Sequence, residues 1–247
     1  MKEVDGVKYY NASEIIGMLH DRLSQNEIKD HFQTGKIHGI KIEDQWHAKK
    51  EVIDEFEEEL LEKTVYFSKL HNIDLTKIQL NGRILDIGGG GEGVIGQFAG
   101  AYVIAIDPSE RELKEAPGDC IRIIMNAKDL KFLDETFDTI TVFFTMMYIP
   151  MSDHKQVFKE IYRVLKPKGQ LFLWDLTIPE RLEVEKEIYA IKLEIDLGNK
   201  KISTGYGTRW NKKFDMEHYL DFGKNIGFKV KEKEINGEIF FIKFEKD

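Results

Sequence analysis

The sequence predicts an α/β chain whose main body is an open, mostly parallel sheet, with a smaller α+β unit ahead of it. Three observations predict this. Short apolar runs at 84–87, 101–106, 121–125, 137–144 and 170–174 are separated by helical or polar stretches, the order that builds a doubly wound parallel sheet by crossover connections. The first of these runs ends in Gly88-Gly89-Gly90-Gly91-Glu92-Gly93, a turn too tight for side chains. Residues 1–66 follow a different pattern, two short capped helices and a hairpin, and are expected to be a domain separate from 67–247.

In residues 1–66, Tyr9 to Leu19 reads as a capped helix with apolar residues at 15, 16, 18 and 19. A second helix is expected from Ser24 to Phe32, with Glu27 completing a capping box and Thr34-Gly35-Lys36 ending it. Ile37 to Trp46 alternates around Glu43-Asp44 as a hairpin does, and Lys49 to Lys63 reads as a third helix. This order resembles the small winged helix-turn-helix domains of the excisionase type, and the resemblance implies a DNA partner. Charge argues the other way. The segment holds nine Lys/Arg against fifteen Asp/Glu, too few cations for counterion release from a phosphate backbone. A substrate lid or dimerisation element is the expected role, and a homodimer is left open.

In the main body, Ile84-Leu85-Asp86-Ile87 is a buried strand with an acid near its end. Gly88-x-Gly90-x-x-Gly93 fits the dinucleotide fingerprint, but a carboxylate beside the loop repels a diphosphate and suits a cation. The run resembles motif I of the class I S-adenosylmethionine-dependent methyltransferases, acid-x-Gly-x-Gly-x-Gly. That resemblance implies a Rossmann-like, seven-stranded, mostly parallel sheet closed by an antiparallel hairpin. It also implies that Asp86 holds the cofactor's amino group while Gly88, Gly89, Gly90 and Gly91 make room for its methionine part. One departure stands out: Glu92 occupies the third motif glycine.

The next strand ends in Asp107, 21 residues after Asp86, followed by Pro108. An acid about 20 residues on is placed to accept from both ribose hydroxyls; an Asx turn before Ser109 is the plain alternative. After the third strand, Asn126-Ala127 stands where the family has its adenine-binding acid and the following backbone N–H. Thr145 and Tyr148 lie at the carboxyl end of the fourth strand, where ligands sit in such sheets. Val157 to Leu165 is helical, and Lys166-Pro167-Lys168-Gly169 is the turn that the family also carries before its fifth strand.

Beyond that, Leu182 to Ile195 shows helical spacing, and Lys192 to Ser203 is expected to form a hairpin around Gly198-Asn199. Thr204 to Trp210 reads as a glycine- and aromatic-rich loop able to wall an acceptor pocket. A helix over 216–227 and strands on either side of Asn236-Gly237 complete the chain, and that closing hairpin is absent from a standard dinucleotide-binding sheet.

Composition narrows the function. The formal net charge is −8, the single cysteine Cys120 excludes an internal disulfide, and no apolar run is long enough for a membrane helix. No apolar signal core opens the chain, so a cytoplasmic protein is expected. No histidine spacing suggests a metal, including His20, His31, His38 and His47. The reading is a methyltransferase using S-adenosylmethionine on a small-molecule acceptor. Tyr148, His154, Tyr206 and Arg209 are the acceptor-side candidates, His154 with a surface or capping role as its alternative. The other readings are a DNA-binding regulator that senses S-adenosylmethionine and an NAD(P)-dependent oxidoreductase.

Overall fold

A computed structural model describes residues 1–19, 22–181, 186–211 and 214–247, and its chain divides into two units, Met1–Tyr66 and Phe67–Asp247.

The first unit contains β1 (Lys2–Val4), β2 (Val7–Asn11), α1 (Ala12–Met18), α2 (Gln25–Gln33), β3 (Ile40–Ile42), β4 (Gln45–Lys49) and α3 (Lys50–Thr64). Its sheet has the order β1-β2-β4-β3. Both α1 and α2 begin with reciprocal capping boxes, Asn11 with Glu14 and Ser24 with Glu27. Each satisfies two backbone donors that the first helical turn leaves open. Ile15, Leu19, Ile28, Phe32, Ile37, Ala48, Ile53 and Phe56 form the core. The β3–β4 turn places Glu43 and Asp44 in the left-handed region, as a tight two-residue hairpin requires. The pair β1–β2 was not read from the sequence, because it is short and mostly exposed and so lacks apolar alternation.

The second unit begins within β5 (Val65–Asp74). Then come β6 (Ile84–Ile87), α4 (Val94–Ala99), β7 (Val103–Asp107), α5 (Glu110–Glu115), β8 (Ile121–Ile124), β9 (Phe137–Phe143), α6 (Met151–Val164) and β10 (Leu165–Leu176). It ends with β11 (Ile188–Asp196), β12 (Lys201–Arg209), α7 (Met216–Ile226), β13 (Phe228–Asn236) and β14 (Ile239–Lys246). The main sheet has the order β13-β14-β10-β9-β6-β7-β8, and β14 alone runs against the rest. This is the expected α/β, Rossmann-like, mostly parallel architecture with its closing antiparallel hairpin. Strand order reverses between β6 and β9, so a crevice opens at their carboxyl ends.

Two elements differ from expectation. The helical spacing read over 182–195 is a strand from Ile188 onward, and residues 182–185 lie outside the described residues. Tyr189, Ile191, Leu193 and Ile195 are buried on one face of β11, and on the other face Ala190 alone is buried, which makes an unbroken apolar run at the strand's start. The segment read as a loop over 204–210 is β12 through Arg209, in full register with β11. Gly205 and Gly207 hide its alternation. A Cβ on Gly205 would sit 2.8 Å from the Ile191 carbonyl oxygen, so this glycine permits close strand contact. Strands β12, β11 and β5 make a second, three-stranded sheet.

Candidate active site

The switch point is lined by the ends of β6, β7 and β9 and by the glycine turn. Asp86 is 2% exposed and accepts a 2.7 Å hydrogen bond from the Thr141 hydroxyl. Burial pushes its pKa up to about 7; the Thr141 bond opposes this and the Asp107 charge adds to it. Asp107, at the end of β7, accepts from the Ser109 N–H at 2.8 Å and from the Gly90 N–H, while Ser109 caps α5. The Asx turn is therefore present, and it fixes the carboxylate beside the loop. Burial raises its pKa as well, against those two bonds.

The glycines are required by contact. A Cβ on Gly88, whose φ is +77°, would fall 2.2 Å from Thr145 Oγ1; one on Gly89 would fall 2.5 Å from Asp86 Oδ2. On Gly90 it would meet Glu112 Cβ at 2.6 Å. The loop's donors are spent internally. Gly88 and Gly89 donate to Ile106 O, Gly91 to Glu112 O, Gly93 to Gly90 O, and Gly90 to Asp107. A diphosphate site needs such N–H groups free. What this site presents instead is carboxylate, which suits an ammonium and ribose hydroxyls.

The remaining expected cofactor residues differ in standing. Ala127 is buried at the end of β8's extension, where Met125 N–H pairs with Asp107 O. Exposed Asn126 uses its side-chain oxygen to accept from Lys128 N–H at 3.0 Å, which orients the amide. Pro108 is exposed. Thr145 shares its hydroxyl hydrogen between Ile87 O and Phe143 O and fills the space Gly88 leaves, so it is a strut beneath the loop. It follows Phe144, a buried residue at φ +50°, a strained conformation for a bulky side chain.

On the acceptor side, β12 presents alternate residues to the crevice. Thr204 Oγ1 donates to Glu92 Oε1 at 2.6 Å, Tyr206 bonds the same carboxylate, and Thr208 Oγ1 donates to Met147 O at 3.2 Å. The Tyr206 ring stacks on Phe144 with centroids 5.2 Å apart. The Tyr148 ring is half exposed, but its hydroxyl end turns inward to accept from Gly207 N–H. Burial first, then neighbouring carboxylates, raise the pKa of both tyrosines, so each stays protonated at neutral pH. Asp175, fully buried at the end of β10, accepts from Met147 N–H at 3.1 Å and holds the turn that carries Tyr148.

Three expectations are corrected. His154 is fully buried and neither caps nor faces the crevice. Its Nε2 lies 3.2 Å from Met146 O and 3.0 Å from Ile149 O, so that nitrogen donates and Nδ1 accepts from His218 Nε2 at 3.0 Å. It is a structural brace for the Met146–Tyr148 turn. Arg209 is exposed on the face of β12 opposite Thr204, Tyr206 and Thr208. Trp210 is 2% exposed, donates to Pro179 O at 2.9 Å and packs on Tyr189, so it belongs to the core. Glu92, Thr204, Thr208 and Asp175 were missed. Only Glu92 carried a signal in the sequence, its place where the motif has glycine. Among the described residues, no group of His, Cys, Asp and Glu is arranged to hold a metal, and no helix is long and apolar enough to cross a membrane.

Residues 85–173 match the family model for a methyltransferase domain. The match covers that segment alone, and there the chain is similar to methyltransferase domains. The residues present fit S-adenosylmethionine: the carboxylates of Asp86 and Asp107 stand beside a turn that only glycine can form. The chain is similar to a demethylmenaquinone methyltransferase of Listeria welshimeri, 40% identical over 86 residues, 32% of this chain and 36% of the relative. A sterol 4-C-methyltransferase of Caenorhabditis elegans is 32% identical over 132 residues, 49% of this chain and 39% of the relative. The chain thus spans well under half the length of these curated relatives. A methyltransferase structure from Aquifex aeolicus shares the fold at TM-score 0.52 and 18% identity, covering 70% of this chain and 87% of that one. A SAM-dependent methyltransferase structure from Methanosarcina mazei does so at TM-score 0.51 and 18% identity, over 69% and 95%.

Proposed function

We propose that the protein transfers a methyl group from S-adenosylmethionine to a small-molecule acceptor. The observation that carries this is the pairing of two crevice carboxylates with a glycine turn whose N–H groups are already used. That arrangement favours a cationic, hydroxyl-rich ligand over a diphosphate. Asp86 pairs with the cofactor's ammonium, and that pairing returns its pKa toward the ordinary carboxylate range. Asp107 accepts from the ribose hydroxyls, and the Asn126–Ala127 segment borders the adenine. When bound, the sulfonium supplies an activated methyl group; the protein aligns the acceptor with it and excludes water. Phe144, Tyr148 and Tyr206 wall the acceptor side. The names of the relatives, which act on a sterol and on demethylmenaquinone, support a small organic acceptor.

Isothermal titration with S-adenosylmethionine, S-adenosylhomocysteine, NAD⁺ and NADP⁺ tests this reading. Micromolar binding of the first two alone is expected. Binding of a nicotinamide cofactor would discard it. For Met1–Tyr66 the winged helix-turn-helix reading rests on the order of its elements, and its acidic balance speaks against DNA. Titration of the full chain with duplex DNA at low salt is expected to show no binding.

A further inference from the structure

Glu92 is not used by any step above, and it is the residue at which this chain leaves the glycine pattern. Its carboxylate leaves the loop and reaches β12, 112 residues on in sequence, where it receives the Thr204 hydroxyl at 2.6 Å and the Tyr206 hydroxyl. Tyr206 is itself fixed by two rings, stacked on Phe144 at 5.2 Å and edge-on to Phe143 at 6.3 Å. Tyr206 follows Thr204 on the same face of β12, and its stack on Phe144 sets it beside the turn that carries Thr145 under the glycine loop. A phenol that donates to a carboxylate keeps its oxygen lone pairs free to take a second proton donor.

We propose that Tyr206 and Glu92 form a proton-accepting pair on the methyl-bearing side of the site, serving an acceptor whose O–H or N–H gives up its proton on methylation. The inference rests on the methyltransferase reading. The balance is complete without a further reagent. The acceptor's lone pair forms the new bond to the methyl carbon, the carbon–sulfur bond breaks, and its electron pair stays on sulfur as a thioether. The acceptor's proton passes to the Tyr206 oxygen while the Tyr206 proton passes to the Glu92 carboxylate. Tyr206 is the group that touches the acceptor; Glu92 acts through it. Thr204 contributes by holding Glu92 in line.

Sinefungin is the probe, because its amino group stands where the sulfonium methyl would be and presents N–H donors to the same space. Its affinity is compared with that of S-adenosylhomocysteine, which lacks any group there. The pair predicts that the wild-type chain binds sinefungin at least about tenfold more tightly, as a charge-assisted hydrogen bond would allow. In Glu92→Gln the ratio is expected to fall toward one while S-adenosylhomocysteine affinity is kept, and Tyr206→Phe is expected to lower it in part. An unchanged ratio in both variants overturns the pair, whether or not overall affinity drops. Tyr206→Phe keeps the ring stack on Phe144 and so gives a result even if the loop tolerates no change at Glu92. Wild-type binding of neither ligand would instead overturn the cofactor reading beneath the proposal.

Discussion

The two sides of the crevice are built by different means. The side proposed for the cofactor is local: Asp86, the glycine turn, Asp107 and Asn126–Ala127 follow one another on consecutive strands β6, β7 and β8, each at the strand's carboxyl end. The acceptor side is assembled across the chain. Glu92 meets Thr204, Met147 meets Thr208, and Asp175 holds the turn carrying Tyr148. A site made by successive strand ends keeps a recognisable spacing; a site made by a distant hairpin laid against those ends keeps none. The comparison explains why one half follows a regular spacing in the sequence, while of the other only Tyr148 and Tyr206 were singled out. It also predicts that substitutions on the two sides separate cofactor affinity from acceptor handling.

The largest expected effect belongs to neither side. Trp210→Ala removes a buried ring and the Pro179 hydrogen bond, so it should cost about 3–5 kcal/mol of stability, read as a lowered denaturation midpoint. A stable variant with altered acceptor turnover alone would return Trp210 to the pocket wall. Next is the cofactor side. Asp86→Ala and Asp107→Ala should each weaken S-adenosylhomocysteine binding at least about tenfold, or 1.4 kcal/mol, by titration calorimetry. Tyr206→Phe should leave that affinity within about twofold if the two sides are separable.

The pH dependence sharpens the same contrast. Asp86 must be ionised to hold an ammonium, and burial places its free pKa at about 7. Cofactor affinity should therefore fall as pH drops below about 7, and Asp86→Asn should flatten that profile. Stability moves the other way. An acid whose folded pKa lies above its unfolded value binds more protons when folded, so the unliganded fold loses stability as pH rises from about 4 to about 7. Asp86→Asn should remove this cost and raise the denaturation midpoint at pH 8 while weakening the cofactor. The smallest expected effect is Arg209→Ala, exposed and facing away, with binding and stability changed by less than about 0.5 kcal/mol.

Legibility followed the same division. Gly88 to Gly91 could be recognised because steric demand leaves no other residue: Thr145, Asp86 and Glu112 each occupy the volume a side chain would need. Asp107 was singled out by its distance along the chain from Asp86. β12 was not found, because Gly205 and Gly207 occupy one face and their missing side chains read as a turn signal. β11 was mistaken for a helix because apolar Ala190, buried between Tyr189 and Ile191, interrupts the two-residue period at the strand's start. His154 followed a charged residue in a helix and so looked like a surface group. Its true setting is fixed by Met146 O, Ile149 O and His218, partners that no local pattern reveals.

The central claim is that crevice carboxylates, with the loop's N–H groups already spent, select an adenosyl amino-acid cofactor. Titration of S-adenosylhomocysteine into the wild-type chain and Asp107→Ala, with NAD⁺ alongside, tests it most directly. The account predicts micromolar binding by the wild type, at least about tenfold weaker binding by the variant, and no binding of NAD⁺. Equal binding by wild type and variant, or tighter binding of NAD⁺, would contradict it.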